Sequence, residues 1–316
     1  MTLGEGGTGL ARSAHIASEL GLREVYFKNE GQNPTGSFKD RGMTVAVTRA
    51  VQIGARELVC ASTGNTSASM AAYAARAGLK ATVLIPHGKI AKGKLVQAII
   101  HGARIREVKG SFDKALQQAR RLAATGQLYL VNSLNPYRLE GQKTLAFELW
   151  EQLGKVPDVV ILPVGNAGNI SAIWKGFWEL KLLRVTNRTP RMIGVQAAGA
   201  APIATAYAKG ENSVSPWPRP ETAASAIRIG APASWKKAMR AVNESGGAML
   251  AVSDREILKA QEILASREGI FAEPASAASL AGLVKATRSE LVAQEENITC
   301  VVTGHGLKDQ ASVRGV

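Results

Sequence analysis

Residues 33–42, NPTGSFKDRG, form the most informative stretch of the chain. The pattern predicts a helix that begins at Ser37, has Asp40 as its capping-box partner, and ends at Gly54. Lys39 then lies in the first helical turn, near free backbone amides and the positive end of the helix dipole. Because both disfavour an ammonium group, Lys39 is a candidate for a reactive neutral amine that forms a Schiff base. Taken alone, such a lysine is more often a solvated surface residue.

Length and composition are those of an ordinary globular protein. The chain has 316 residues, 46% hydrophobic and 20% charged, enough for one large α/β domain or two smaller ones. No apolar run approaches the roughly 18 residues that span a bilayer, and the start, MTLGEGGTGL, lacks the regions of a signal peptide. We therefore expect a cytoplasmic protein with no membrane partner. Cys60 and Cys300 lie in apolar runs, which predicts buried free thiols and neither a disulfide nor a metal site.

The net charge of +14 is compatible with nucleic acid or with anionic small molecules as partners. The basic residues are scattered along helical faces, as in QQARRLA and ASWKKAMRA, and only 5% of residues are aromatic. Few side chains could therefore stack on bases. A solvated basic surface is the better interpretation, and we expect no nucleic-acid partner.

Helical and strand-like segments alternate from residue 37 onward, which predicts parallel sheets covered by helices on both faces. Predicted strands are residues 58–62, 81–86, 103–108, 128–131, 158–164, 191–198, 247–252 and 298–303. Predicted helices include residues 37–54, 67–78, 93–102, 112–126 and 139–154, and one that follows the glycine-rich turn GNAGN. Residues 205–235 contain four prolines and are predicted to be a long irregular excursion.

Two glycine patterns resemble nucleotide-binding motifs, but neither meets the requirements of its motif. Gly4, Gly6 and Gly9 match G-x-G-x-x-G, but no strand precedes them. Residues 88–94, GKIAKGK, nearly complete a P-loop, but Leu95 follows them and has no hydroxyl group for magnesium. Glycine-rich turns explain both patterns better.

Polar, glycine-rich loops follow several predicted strands: ASTGNTSAS, VNSLNPYR, PVGNAGN and TGHGLKD. In parallel sheets the active site gathers where loops leave the carboxyl ends of the strands. These segments, together with NPTGSFKDRG and EGIFAEPASAA, resemble the threonine synthase family of fold-type II pyridoxal-phosphate enzymes. The resemblance covers about Gly4 to Asp309; SFKD alone indicates only the superfamily, whereas SFKDRGM with NSLNPYRLEGQKT and GNAGN is specific to the threonine synthases and their closest relatives.

The resemblance implies an α/β fold like that of tryptophan synthase β, with two domains of parallel, doubly wound sheets and the active site in the cleft between them. We expect a large cofactor-binding domain of residues 1–50 and 140–316. A small mobile domain, residues 51–139, is expected to be inserted in it. The expected assembly is a homodimer. The family has proline after the first glycine–threonine pair, where this chain has Gly9.

Pyridoxal 5'-phosphate is the cofactor that the resemblance implies, with Lys39 as its Schiff-base residue. The glycine-rich turn suits the cofactor phosphate because backbone amides and a helix start converge there. Asn65 would bind the ring hydroxyl group and Thr303 the pyridine nitrogen, although both could be ordinary loop caps. Phe38 and the EPASAA loop would pack near the ring. The predicted cofactor-binding set is Lys39, Phe38, Asn65, Gly165, Asn166, Ala167, Gly168, Asn169 and Thr303.

Substrate specificity is expected from residues that resemble a phosphate-binding set. Arg138 offers a planar fork of donors that matches phosphate oxygens, although it could be a surface arginine on a turn. Ser62 and Thr63 are candidates for the substrate carboxylate. The predicted substrate-binding set is Ser62, Thr63, Thr66, Asn132, Ser133, Arg138 and Asn166.

The implied reaction converts O-phospho-L-homoserine and water to L-threonine and phosphate by β,γ-elimination and hydration, with Lys39 as the catalytic acid and base. Two other enzyme functions are alternatives for this chain: a relative that acts on phosphoserine, and a threonine or serine dehydratase. Arg138 argues against the dehydratase, whose substrate has no phosphate. A catalytically inactive binding protein is a third alternative, which the intact Lys39, Asn65 and Thr303 disfavour.

Overall fold

The structure is a computed structural model, and it describes residues 1–88, 92–110, 112–126 and 128–309. The chain divides into two compact units. The first unit contains residues 1–6 and 33–142, and the second contains residues 7–32 and 143–316. None of the helices in the described residues is both long and apolar enough to cross a membrane.

The first unit contains a four-stranded parallel sheet with the strand order β5-β4-β3-β6. Its strands are β3 (Glu57–Ala61), β4 (Lys80–Pro86), β5 (Arg104–Val108) and β6 (Tyr129–Leu130). Its helices are α2 (Lys39–Gln52), α3 (Asn65–Arg76), α4 (Lys92–Ile100), α5 (Phe112–Ala124) and α6 (Pro136–Gln142).

Both faces of this sheet are buried. Leu58 and Cys60 of β3 join a core with side chains of α2, α3 and α4, whereas Val59 and Ala61 of the same strand join a core with α5. This alternation follows from the two-residue period of a strand.

The second unit contains a six-stranded sheet with the strand order β1-β2-β10-β7-β8-β9. Its strands are β1 (Leu10–Arg12), β2 (Glu24–Asn29), β7 (Val159–Pro163), β8 (Arg191–Ala197), β9 (Ala248–Val252) and β10 (Asn297–Val302). Its helices are α1 (Ile16–Glu19), α7 (Thr144–Leu153), α8 (Gly168–Leu182), α9 (Pro202–Ala208), α10 (Trp235–Ser245), α11 (Asp254–Glu268) and α12 (Pro274–Arg288). Five of these strands are parallel, and β1 pairs antiparallel with β2 at the edge.

Helices cover both faces of this sheet too. Val159 and Ile161 of β7 face a core that includes α11 and α12, whereas Val160 and Leu162 face a core that includes α7, α8 and α10. The doubly wound α/β arrangement predicted from the sequence is therefore confirmed in each unit. Cys60 and Cys300 are buried free thiols, as predicted; burial raises the pKa of Cys60 to about 12.

Strands β1 and β2 were not predicted from the sequence. Lys28 interrupts the apolar pattern of β2, yet it is completely buried. Its ammonium group donates to Thr8 O at 2.7 Å and to Glu148 Oε2 and Gln152 Oε1, both at 2.8 Å. A lysine can occupy a buried position of a strand here because residues distant in the sequence satisfy its charge and its hydrogen bonds.

The unit boundary differs from the predicted domain boundary. Residues 33–50, which we expected in the larger domain, belong to the smaller unit. Met43, Val47 and Ala50 of α2 lie in the same core as the side chains of α3 and β3, and this burial places α2 in the first unit. The predicted helix over residues 139–154 is two helices, α6 and α7. In the P-loop-like stretch, residues 89–91 lie outside the described part of the chain.

Candidate active site

Lys39 is the first residue of helix α2, and Phe38 is the helix N-cap. The predicted capping box is wrong, because the buried hydroxyl group of Ser37 makes no hydrogen bond to any residue that the structure describes. The ammonium nitrogen of Lys39 lies 4.0 Å from the centroid of the Phe38 ring. Two of the residues predicted at the cofactor are therefore in direct contact with each other.

Asp40 fixes the turn that precedes Lys39. Its side chain is completely buried and accepts hydrogen bonds from Thr35 N and Thr35 Oγ1, both at 2.7 Å. A third bond comes from Ser69 Oγ of helix α3 at 2.5 Å. A carboxylate with several short donors is held rigidly, so Asp40 joins the Lys39 turn to α3.

The predicted residues of the STGNT segment surround the start of helix α3. Asn65 is its first residue and is buried, whereas Ser62, Thr63 and Thr66 are half-buried. Ser62 Oγ accepts a hydrogen bond from Gly64 N at 3.2 Å, which closes the turn between strand β3 and the helix. The structure thus brings these four residues to one helix start, where backbone amides face outward.

Asn132 is tied to the backbone of strand β3. Its Oδ1 accepts from Ala61 N and its Nδ2 donates to Ala61 O, both at 2.9 Å. The side chain therefore pairs with both backbone groups of the last residue of β3. Ser133, its neighbour in the predicted phosphate-binding set, is half-buried.

Arg138 is buried on helix α6, so the alternative of a surface arginine on a turn is wrong. Its guanidinium group donates to Val131 O at 3.3 Å, and its Nε–H group has no partner among the residues that the structure describes. Burial lowers the pKa of Arg138 to about 10, which leaves it charged at neutral pH. Because a buried cation with an unused donor is costly, Arg138 is suited to an anionic ligand.

In the second unit, the glycine-rich turn joins strand β7 to helix α8. Ala167 is the helix N-cap and has a left-handed conformation with φ of 65°, which is uncommon for a residue with a side chain and occurs at ligand sites. Both side-chain polar atoms of Asn169 are buried and have no hydrogen-bond partner in the described part of the chain. A free helix start, a turn of small residues and an unsatisfied buried amide fit the phosphate group of the expected cofactor.

A segment that the sequence analysis left unassigned lies against this turn. A methyl group on Gly165 would lie 3.1 Å from the Cα of Ile227. Asn166 Oδ1 accepts from Ala233 N at 3.4 Å, and Asn166 O accepts from Ser234 N at 3.1 Å. Residues 227–234 therefore belong to the site, although they fall in the predicted excursion. In the sequence, the small residues of AIRIGAPAS were the feature that could have indicated this close approach to the turn.

Thr303 follows strand β10 and is buried. Its hydroxyl oxygen lies 2.8 Å from that of Ser276, a residue that the sequence analysis did not single out. The predicted EPASAA loop is wrong in its conformation, since Glu273 is an N-cap and helix α12 begins at Pro274. Ser276 thus lies in a helical first turn, which fixes its side chain opposite Thr303.

The predicted residues form two groups. In the first unit, helices α2, α3 and α6 bring Lys39, Asn65 and Arg138 to one packed cluster of elements. In the second unit, the glycine-rich turn and Thr303 follow β7 and β10, which are neighbouring parallel strands. Asn65 follows β3 and Arg138 follows β6, so these two residues and the second group lie where loops leave the carboxyl ends of parallel strands.

Comparison with known proteins identifies a family. Residues 1–304 match the family described as "Pyridoxal-phosphate dependent enzyme". The chain is 55% identical to a threonine synthase of Methanocaldococcus jannaschii, over 99% of this chain and 78% of that protein. It is 56% identical to a threonine synthase of Mycobacterium tuberculosis, over 98% of this chain and 84% of that protein.

Solved structures share the fold at lower identity. Maize serine racemase superposes with a TM-score of 0.81 at 23% identity and covers 95% of this chain and 88% of its own. A fungal L-serine ammonia-lyase from Rhizomucor miehei gives a TM-score of 0.82 at 21% identity, with coverage of 95% and 94%. At these identities the likeness concerns the fold.

Proposed function

This chain belongs to the family of pyridoxal-phosphate-dependent enzymes, and from that premise we propose that it converts O-phospho-L-homoserine and water to L-threonine and phosphate. The observation that carries the proposal is the 52–56% identity to threonine synthases over 98–99% of the chain. The activity is that of a lyase in threonine biosynthesis, and the substrate is a small phosphorylated amino acid.

The cofactor would be held by residues of both groups. Lys39 would bind it covalently, and Asn65 would donate a hydrogen bond to the ring hydroxyl group. The phosphate group would bind at the turn of residues 165–169, where the orphaned amide of Asn169 has the donor that a phosphate oxygen accepts. When bound, pyridoxal phosphate supplies an electron sink for the carbanions formed on the substrate.

Lys39 would carry the proton transfers. Its amine, released when the amino group of the substrate replaces it, would remove the α proton and then a β proton of the substrate. Its place in the first turn of α2 supports this role, because the helix start favours the neutral amine that acts as a base. The hydrogen bonds that Asp40 accepts from Thr35 in the preceding turn would hold the amine in position.

Arg138 would select for the phosphate group. Its buried guanidinium has an unused Nε–H donor and no carboxylate partner among the described residues. A phosphate oxygen would satisfy the donor and balance the charge. A dehydratase substrate offers no such group, so the environment of Arg138 favours a phosphorylated substrate. Phosphoserine, one carbon shorter, is the second candidate because it carries the same phosphate.

A product assay tests the proposal. The full chain, loaded with pyridoxal phosphate, is mixed separately with O-phospho-L-homoserine, phosphoserine, threonine and serine. We expect threonine and phosphate in equal amounts from phosphohomoserine. Faster phosphate release from phosphoserine would identify that alternative, and a 2-oxo acid formed from threonine or serine would identify a dehydratase. Bound cofactor with no turnover of any substrate would identify a binding protein.

We also propose that the chain forms a homodimer and is located in the cytoplasm. The second unit presents exposed apolar side chains on helix α8 and just beyond it, namely Trp178, Leu182, Leu183 and Val185. A sedimentation experiment on the purified chain measures the assembly directly. A mass of one chain would contradict the dimer.

A further inference from the structure

Two buried hydroxyl groups face each other in the second unit, those of Ser276 and Thr303. Ser276 is completely buried and Thr303 is 4% exposed. Their oxygen atoms lie 2.8 Å apart, and by distance alone either could be the donor. Thr303 is the residue assigned to the pyridine nitrogen of the cofactor, so the following inference rests on the proposed function.

The surrounding backbone determines which hydroxyl group donates. Gly304 N donates to Ser276 Oγ at 2.7 Å, so Ser276 already accepts one hydrogen bond and has one proton to give. That proton has two acceptors within reach, Thr303 Oγ1 at 2.8 Å and Gly304 O at 3.2 Å. The carbonyl oxygen of Gly304 already accepts from the backbone N of Glu273 at 3.1 Å. The shorter contact and the less occupied acceptor both direct the Ser276 proton to Thr303.

The direction of this hydrogen bond has a chemical consequence at Thr303. If Ser276 donates, the Thr303 oxygen is an acceptor and its own proton is available for another acceptor. An unprotonated pyridine nitrogen is such an acceptor, whereas a protonated one is a donor. If the bond ran the other way, Thr303 could only accept, and a protonated nitrogen would fit. The direction of the hydrogen bond between Ser276 and Thr303 therefore selects the protonation state of the ring nitrogen.

We infer that Ser276 is a positioning residue that donates to Thr303, directs the Thr303 proton toward the ring nitrogen, and keeps that nitrogen unprotonated. Ser276 acts through its hydrogen bond to Thr303. An unprotonated ring withdraws electrons less strongly than a pyridinium. Ser276 thereby limits how strongly the bound cofactor stabilises substrate carbanions.

Nitrogen NMR reports the protonation state without relying on turnover. The full chain is loaded with pyridoxal phosphate that carries ¹⁵N in its ring, and the ring resonance is measured at one neutral pH for wild type, Ser276→Ala and Ser276→Cys. We expect the wild-type resonance in the range of an unprotonated, hydrogen-bonded pyridine. Ser276→Ala should move it toward the pyridinium range, because Thr303 is then free to accept. Ser276→Cys should give a smaller shift in the same direction, since a thiol is a weak donor.

Ser279→Ala is the matched control. Ser279 lies on the same helix, is equally buried, and its hydroxyl group donates to the backbone oxygen of Ser276 and not to Thr303. Its variant should keep the wild-type resonance. In the Thr303→Val background, Ser276→Ala should produce no further shift of the ring resonance, because the Thr303 hydroxyl group through which Ser276 acts is already absent.

Two results would overturn the inference while leaving the proposed function intact: a pyridinium resonance in wild type, or an unchanged resonance in both Ser276 variants of an enzyme that binds cofactor and makes threonine. Failure of the wild-type chain to bind pyridoxal phosphate would overturn the proposed function first. If Ser276→Ala does not fold, Ser276→Cys supplies the same comparison.

Discussion

Gly141 of helix α6 lies directly against the carbonyl oxygen of Arg41 on helix α2: a methyl group added to Gly141 would lie 1.8 Å from that oxygen. Gly42 makes the reciprocal contact, since a methyl group there would lie 2.8 Å from Arg138 O. These glycines let the two helix backbones touch. Because α2 begins with Lys39 and α6 carries Arg138, this contact sets how the amine and the guanidinium are placed within the first unit.

Gly141→Ala should destabilise the first unit and separate the two helices. We expect a loss of about 3 kcal/mol in the free energy of unfolding, because backbone leaves the added methyl group no space. Gly78→Ala is the control, with φ of +67° but open space around it; it should cost about 1 kcal/mol. Denaturant unfolding measures both losses. Equal stability of the two variants would contradict the close contact.

Asn132→Ala should reduce stability more than substrate affinity. The variant would leave the N–H and C=O groups of Ala61 without the side chain that binds them. We expect this to lower the free energy of unfolding by about 2–4 kcal/mol for the two groups together. Ser133→Ala, one residue away, should change stability by less than about 0.5 kcal/mol. Thermal unfolding and KM for phosphohomoserine separate the two effects. A stable Asn132→Ala variant with a raised KM would instead identify Asn132 as chiefly a phosphate ligand.

Arg138→Ala should lower kcat/KM on phosphohomoserine by about 10- to 100-fold, since one or two charge-assisted hydrogen bonds are lost. Turnover of unphosphorylated serine, where measurable, should hardly change. Arg138→Lys should rescue only in part, because a point charge cannot reproduce the planar fork. Arg138→Met controls for packing, as it fills similar space without charge. Equal losses on both substrates would indicate a structural role.

Lys39→Ala should abolish the covalent chromophore and lower kcat by at least about 100-fold, because the amine that moves protons is removed. Visible absorption and borohydride reduction followed by peptide mapping measure the attachment. Lys209→Ala is the control, since that side chain is 63% exposed in the other unit. Attachment of the cofactor to any lysine but Lys39 would refute the central site assignment.

Glu268→Gln should lower the melting temperature near neutral pH by about 2–4 °C. Burial alone would raise the pKa of Glu268, but hydrogen bonds from Ser13 Oγ and the backbone amides of residues 14–16 outweigh it and lower the pKa. A lowered folded pKa gives stability that is present above the usual value of 4.5 and is lost as the pH falls through the folded value. The difference between wild type and variant should therefore vanish in acid. Glu262→Gln, an exposed control on the same helix, should show no such dependence.

Local pattern in the sequence was enough to predict much of the fold. Strands β3, β4 and β7 to β10 are short, mainly apolar runs bounded by turn residues, and their burial follows from that composition. The same pattern placed Lys39, the glycine-rich turn and Thr303 beside strand or helix ends. The segments quoted around them also indicated the family, because chemistry at a helix start depends on residues close in the chain.

Only the tertiary structure decided which polar groups satisfy one another. Lys28 can lie in a strand because Glu148 and Gln152, over 100 residues away, bind its charge. Asn132 is engaged by Ala61, and Ser276 by Thr303, through contacts that no local spacing indicates. A buried hydrogen bond depends on the position of both partners, and chain folding sets that position. The sequence by itself therefore indicated most of the elements, the family and the candidate Schiff-base lysine, whereas long-range packing decided the unit boundary and the hydrogen-bond partners of the candidate site residues.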